Sequence, residues 1–248
     1  MTWRFAIVVT LSALGAASGA ARAELQIPPV TYPKLAAHAA SAEGFVPAGW
    51  RLETKRAGDL NGDGKPDVVQ VLKQTNPRNV VPNDAMGPNP FDTNPRILAV
   101  AFAAAAGGFD LTLEDHTLIP RPEYPTMDDP LDPEGVQPGG VEVKNGVLRV
   151  TLGRFMSAGG WGMGRTAYAF RFQNGRFELI GYDRMEVRRN TGEIEEISIN
   201  FSTGRMKTTK SSIYSDGPGK VTWTNLRRQP LLRIDRIGNG LEFGPPSR

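Results

Sequence analysis

Asp59-Leu60-Asn61-Gly62-Asp63-Gly64-Lys65-Pro66-Asp67 runs directly into Val68-Val69-Gln70-Val71-Leu72. Ahead of it, Trp50, Leu52 and Thr54 alternate with Arg51, Glu53 and Lys55. That period of two is the pattern of a half-buried strand, and the β-branched run after Asp67 suits a strand buried on both faces. The stretch therefore reads as two strands joined by a short polar loop, and it sets the expectation of a β-rich chain.

The loop has a chemistry of its own. Oxygen-bearing side chains fall at alternate positions (Asp59, Asn61, Asp63), with Asp67 as a fourth. Gly62 and Gly64 allow the tight bend that turns such oxygens toward one point. Hard cations take six to eight oxygen ligands, and calcium is the natural candidate. Counting from Asp59, the seventh residue is Lys65, which offers a backbone carbonyl, and the ninth is Asp67, which closes the set. An EF-hand needs Glu at the twelfth position and a helix afterwards. This chain has Gln70 there, followed by a strand pattern. The competing reading is an Asx-rich turn that binds nothing. Carboxylates crowded beside a single lysine would repel one another without a cation, which favours the metal.

Over about Gly58 to Val71 the stretch resembles the calcium loop of integrin-α-type repeats (FG-GAP and VCBS-like repeats), a D-x-[DN]-x-DG-x-x-D loop between two strands. The resemblance implies side-chain ligation by Asp59, Asn61, Asp63 and Asp67 and carbonyl ligation by Lys65. The loop occurs once, without the Phe-Gly…Gly-Ala-Pro cage of those repeats. One such loop beside Asn-Gly-turned hairpins and long proline-rich loops also resembles exported bacterial proteins of unassigned activity.

Outward from the loop, hairpin signals dominate. Val141 to Leu152 turns at Asn145-Gly146 and Ala167 to Ile180 at Asn174-Gly175, the strongest two-residue hairpin sequences. The first register pairs Val143 with Leu148 and Glu142 with Arg149. The second pairs Phe172 with Phe177, Phe170 with Leu179 and Arg171 with Glu178. Apolar residues meet apolar ones and opposite charges meet, as cross-strand packing favours. Ile97 to Phe102 and Phe109 to Leu113 flank a Gly107-Gly108 turn, and Ile197 to Thr208 turns near Thr203-Gly204. Val221, Trp223, Leu232, Ile234 and Ile237 supply the last strands. Lys34 to Glu43 is alanine-rich, follows Pro33 and stops at Gly44, which predicts one short N-terminal helix. The expected fold class is all-β, mainly antiparallel hairpins, as a curved or propeller-like sheet.

Two long loops interrupt this pattern. Lys73 to Arg96 carries five prolines, and Pro120 to Gly140 holds Asp128, Asp129, Asp132 and Glu134. The second lacks a glycine-spaced ligand pattern and reads as a solvated acidic loop rather than another cation site. Ser157 to Gly164 is glycine-rich, but a phosphate cradle needs a helix after it. A strand pattern follows instead.

At the N-terminus, Arg4 precedes an apolar run from Phe5 to about Ser18 and an Ala21-Arg22-Ala23 end. These are the marks of a secretory signal peptide over 1–23, leaving 24–248 as a single β-rich domain in the periplasm or medium. The run is short for a bilayer span, and no later segment reaches transmembrane length. The sequence has no cysteine, which excludes a lipid anchor on Cys, disulfides and thiolate chemistry. Loss of Arg4 and Arg22 takes two charges off the formal +3. A nearly neutral chain lacks the concentrated basic face that nucleic acid requires.

Two functional classes follow. The first is an exported calcium-binding β module, non-catalytic, docking a protein or glycan of the cell envelope through its long loops. The second is an envelope-polymer hydrolase using carboxylates of the 120–140 loop at the separations glycoside cleavage demands. A Ser-His-Asp enzyme would depend on His38 or His116, and no Gly-x-Ser-x-Gly elbow is present.

Overall fold

A computed structural model describes residues 25–244, so the leader over 1–23 and the residues after 244 lie outside the described residues. In chain order the strands are β1 (His38–Ala39), β2 (Trp50–Gly58), β3 (Asp67–Gln74), β4 (Val80–Val81), β5 (Phe91–Asp92), β6 (Arg96–Ala103) and β7 (Phe109–Asp115). They continue with β8 (Gly140–Lys144), β9 (Val147–Arg154), β10 (Gly162–Gln173), β11 (Arg176–Arg188), β12 (Glu193–Asn200), β13 (Arg205–Ser212) and β14 (Lys220–Asn225). The fold is all-β and antiparallel. One five-stranded sheet has the order β1-β7-β6-β3-β2, and β8 to β14 form a seven-stranded meander. The small β4-β5 ladder lies within the first long loop.

The inner faces of the two sheets share one apolar cluster. Val69, Val71, Leu98 and Val100 from the smaller sheet meet Leu148, Val150, Phe170 and Ile199 from the larger. At one side the edges abut: the Arg56 Nε donates to the Val141 carbonyl at 3.0 Å. The smaller sheet is covered on its other face too. There Leu72, Ile97 and Ala99 pack under Leu35 and Trp50, while Ala101 packs with Ala39 and Phe45. Burial on both faces is why β3 and β6 are continuous apolar runs. The meander alternates because only one of its faces meets the core.

Both Asn-Gly hairpins form in the expected register. Val143 pairs with Leu148 and Glu142 with Arg149, while Phe170, Arg171 and Phe172 pair with Leu179, Glu178 and Phe177. Asn145 and Asn174 adopt φ of 51° and 54°, followed by Gly146 and Gly175 at 71° and 70°. Positive φ at both central residues defines the type I′ turn that such dipeptides favour. The charged Arg149 and Glu178 side chains of these pairs make their hydrogen bonds beyond the residue directly opposite. The Arg149 guanidinium reaches Asp183 at 2.9 Å, and Glu178 accepts from Gln173, Asn174 and Arg176.

The helix expected over Lys34 to Glu43 does not form. The segment runs extended, pairs His38–Ala39 with β7, and keeps only a 3₁₀ turn at Ala42–Phe45. Its alanines favour a helix locally, but pairing with the β7 edge satisfies the backbone and covers the sheet. Near the other end, Leu232 to Ile237 is likewise not a strand. It makes a single bridge, Glu178 to Arg233, and a 3₁₀ turn at Ile234–Arg236 that sinks Ile234 into the core. Beyond it, the buried Tyr168 hydroxyl donates to the Gly240 carbonyl and ties this segment across the larger sheet.

Phe170 is fully buried. Its replacement by Ala is expected to cost about 3–5 kcal/mol. Tyr168→Phe, which removes one buried hydrogen bond, should cost only about 1 kcal/mol. Urea unfolding of the two variants checks the order, and equal losses would contradict this account of the core.

Candidate metal centre

The loop between β2 and β3 lies where the hairpin register ends, Gly58 facing Asp67. Its carboxylates are held by loop amides. Asp59 Oδ1 accepts from the Gly62 amide at 2.7 Å, and Oδ2 from the Gly64 amide at 2.9 Å. Asn61 Oδ1 accepts from the Asp63 amide at 2.9 Å, and Asp63 Oδ1 from the Lys65 amide at 2.8 Å. Gly62 and Gly64 sit at φ of 82° and 80°, a region that glycine enters at little cost. The Gly64 amide, with help from Gly62, holds the Asp59 carboxyl below its ordinary value of 3.8.

Asp67 is different in kind. Its side chain is fully buried, Oδ2 accepting from the Leu60 amide at 2.8 Å and Oδ1 from the Ala103 amide at 3.0 Å. It therefore clamps the start of the loop to the end of β6. The neighbouring Leu60 side chain enters the main core. The sequence pattern marked Asp67 as a ligand but gave no sign of its bond to Ala103, 36 residues away.

The donor set is chemically right for a hard cation: carboxylate and amide oxygens with no nitrogen or sulfur ligand. In geometry the five expected positions separate into two groups. Asp59, Asn61 and Asp63 ring the loop, with Lys65 exposed beside them, and Asp67 lies buried at its base. Among the described residues, no three or more His, Asp or Glu side chains are grouped closely enough to hold a metal ion. Each carboxylate oxygen can still accept a second contact beyond its amide.

The acidic 120–140 loop does not bring its four carboxylates together. Asp129 turns inward to the buried Arg96, which also binds Glu53 through two nitrogens. Asp132 caps a turn by accepting from the Glu134 amide at 2.9 Å. Asp128 and Asp129 line a cleft, and Asp132 and Glu134 are not among its walls. The two histidines stand apart, His38 against Asp110 at 2.8 Å and His116 against Glu114 at 2.9 Å. Trp161 lies exposed on its glycine-rich loop, which the Arg189 guanidinium holds through the Met156 and Gly160 carbonyls at 2.7 Å each. No helix among the described residues is long and apolar enough to cross a membrane.

A scan of protein-family models found no match, and searches of curated proteins and of solved structures found none either. What the described residues show is thus their own geometry: two large antiparallel sheets, with the Asp59–Asp67 loop joining β2 to β3.

Two measurements probe the loop. In calcium-free buffer Asp67→Ala strands two amides, at about 1–3 kcal/mol each, so a loss of about 2–6 kcal/mol is expected in urea unfolding. Asp63→Ala, at an exposed site, should stay within about 0.5 kcal/mol. Asp59 has a depressed folded-state pKa, so its contribution is complete above 3.8 and fades as pH falls through the lower folded value. A carboxyl NMR titration of Asp59 should have its midpoint below 3.8, and one at or above it would contradict the amide cradle.

Proposed function

We propose that this protein is an exported calcium-binding β module, non-catalytic, that docks a protein or glycan of the cell envelope through its long loops. The observation that carries the reading is the Asp59 carboxylate. It is held ionised by the Gly62 and Gly64 amides, in a loop whose base is fixed by Asp67. Asp59, Asn61 and Asp63 would hold calcium with the Lys65 carbonyl, and Asp67 would close the site from below. A bound ion there neutralises the crowded carboxylates and braces the β2–β3 connection. That is a structural service.

The hydrolase reading through Asp128, Asp129, Asp132 or Glu134 has less in its favour. Asp129 is engaged by Arg96, and Asp132 and Glu134 lie off the cleft. That leaves Asp128 as the one residue of the four in the cleft without an ion-pair partner among the described residues.

Calorimetric titration of calcium into the wild type and Asp63→Ala tests the proposal. Extracellular sites of this kind have Kd of about 10⁻⁴ to 10⁻³ M. At about 1 mM calcium that adds roughly 0.4–1.4 kcal/mol of stability, enough to raise the melting temperature measurably. The wild type should bind one ion and melt higher in calcium than in EDTA, and Asp63→Ala should do neither. Identical melting of the wild type in both buffers would contradict the proposal.

A further inference from the structure

A large cleft among the described residues lies away from the candidate calcium loop. It measures about 790 Å³ and lies where the loop around Pro88 to Phe91, the segment Pro120 to Pro130 and the tail around Gly238 to Glu242 converge. That size falls in the range of about 300–1,000 Å³ typical of ligand clefts.

Its walls are rich in proline. Six of the lining residues, Pro88, Pro90, Pro120, Pro122, Pro125 and Pro130, are prolines, which present a carbonyl but no amide hydrogen. Tyr32 stacks flat on His116, with centroids 4.2 Å apart and planes at 4°. Tyr124 lines the cleft while 59% exposed. The loops beside it carry further exposed apolar side chains, Met86 and Trp161. Those loops are tied to the rim. The Ser157 amide donates to the Thr126 carbonyl at 2.8 Å, and Met127 bridges Met156. Gly87 lies so close to the Pro125 carbonyl that a Cβ would stand 2.2 Å from its oxygen.

The charges in the cleft are unbalanced. Its three Lys or Arg residues are already engaged: Lys73 with Asp92 at 2.9 Å, Arg154 with Glu186 at 3.0 Å, and Arg121 with Thr93, Asn79 and the Pro28 carbonyl. Among the carboxylates, Asp129 has Arg96 and Asp92 has Lys73. Asp128 and Glu242 line the cleft without a hydrogen bond or ion pair from any side chain of the described residues, and Glu123 has only the through-space attraction of Arg121, whose hydrogen bonds all go to neutral acceptors. A ligand that suits these walls brings positive charge and hydrogen-bond donors on apolar stems.

We infer that the cleft binds a short, extended basic peptide segment. Its Lys or Arg heads pair with Glu123, Asp128 and Glu242, and their methylene stems lie along the prolines and Tyr124. This rests on the reading of the protein as a docking module and names the partner's chemistry. The whole chain carries a formal charge of +3, so general attraction does not account for binding a polycation.

The test is fluorescence anisotropy with fluorescein-labelled hexalysine in low salt, where charge pairing is least screened. The wild type should bind hexalysine and not hexaglutamate. Glu123→Gln/Asp128→Asn/Glu242→Gln should weaken binding by about tenfold, the scale of three partly exposed charge pairs. Tyr124→Ala should weaken it by about two- to fivefold. Glu134→Gln/Glu196→Gln/Asp216→Asn makes the same charge change away from the cleft and should leave affinity within about twofold. Equal loss in both triple variants, no binding by the wild type, or preference for a neutral oligosaccharide would overturn the inference. Asp63→Ala run in parallel separates the two proposals. It should lose the calcium heat and keep peptide binding; in the wild type, peptide binding without calcium heat tells against the ion alone, and calcium heat without peptide binding tells against the cleft alone.

Discussion

A single buried carboxylate sets the geometry on which the loop depends. Asp67 accepts the Leu60 amide with one oxygen and the Ala103 amide with the other, out of contact with solvent. Desolvating a carboxylate costs several kcal/mol, and two hydrogen bonds to a charged acceptor return about 3–6 kcal/mol. The terms nearly cancel, so Asp67 contributes position more than stability. It fixes where the loop begins relative to β6, and Leu60 reinforces this by filling the core beneath. Asp59, Asn61 and Asp63 inherit their direction from that anchor.

The rest of the fold keeps the anchor in place by covering both faces of β3 and β6. The larger sheet packs on one side, and the extended N-terminal segment lies on the other. The larger sheet is covered only on its inner face. Its outer face is polar and tied across strands, with Asp183 accepting from both Arg149 and Ser198. Such exposed pairs are worth little individually. Their effect is to align neighbouring strands, while the apolar inner face supplies the stability.

Much of this was legible in the residues. Asn145-Gly146 and Asn174-Gly175 specify turns through local backbone preference, and the alternation beside them specifies register. Both signals are short-range. The β-branched run at Val68 to Leu72 announced a strand because two-sided burial leaves that mark. What was not legible depends on distant partners. The alanines of Lys34 to Glu43 carry helix propensity, and nothing nearby in sequence reveals that the β7 edge lies waiting for them. The cross-strand pairs of Arg149 and Glu178 were legible, but their side-chain hydrogen bonds were not, because pairing fixes backbones while long side chains reach beyond the residue directly opposite. The Arg96–Asp129 contact joins residues 33 apart and could not be read from either loop. The candidate ligands were visible from spacing alone, but the division between the surface trio and the buried Asp67 was not.

The loop and the cleft illustrate two uses of acidic side chains in one small β scaffold. In the loop, amides hold the oxygens in place, and those of Gly64 and Gly62 lower the pKa of Asp59. In the cleft, Asp128 and Glu242 face proline-rich walls without a side-chain partner among the described residues. The claim at the centre of the account is that the first arrangement is built for a divalent ion. A high-resolution crystal structure of the protein grown in calcium addresses it most directly. The account predicts an ion at about 2.3–2.6 Å from oxygens of Asp59, Asn61 and Asp63. A loop with only its own amides around those carboxylates, in crystals saturated with calcium, would contradict it.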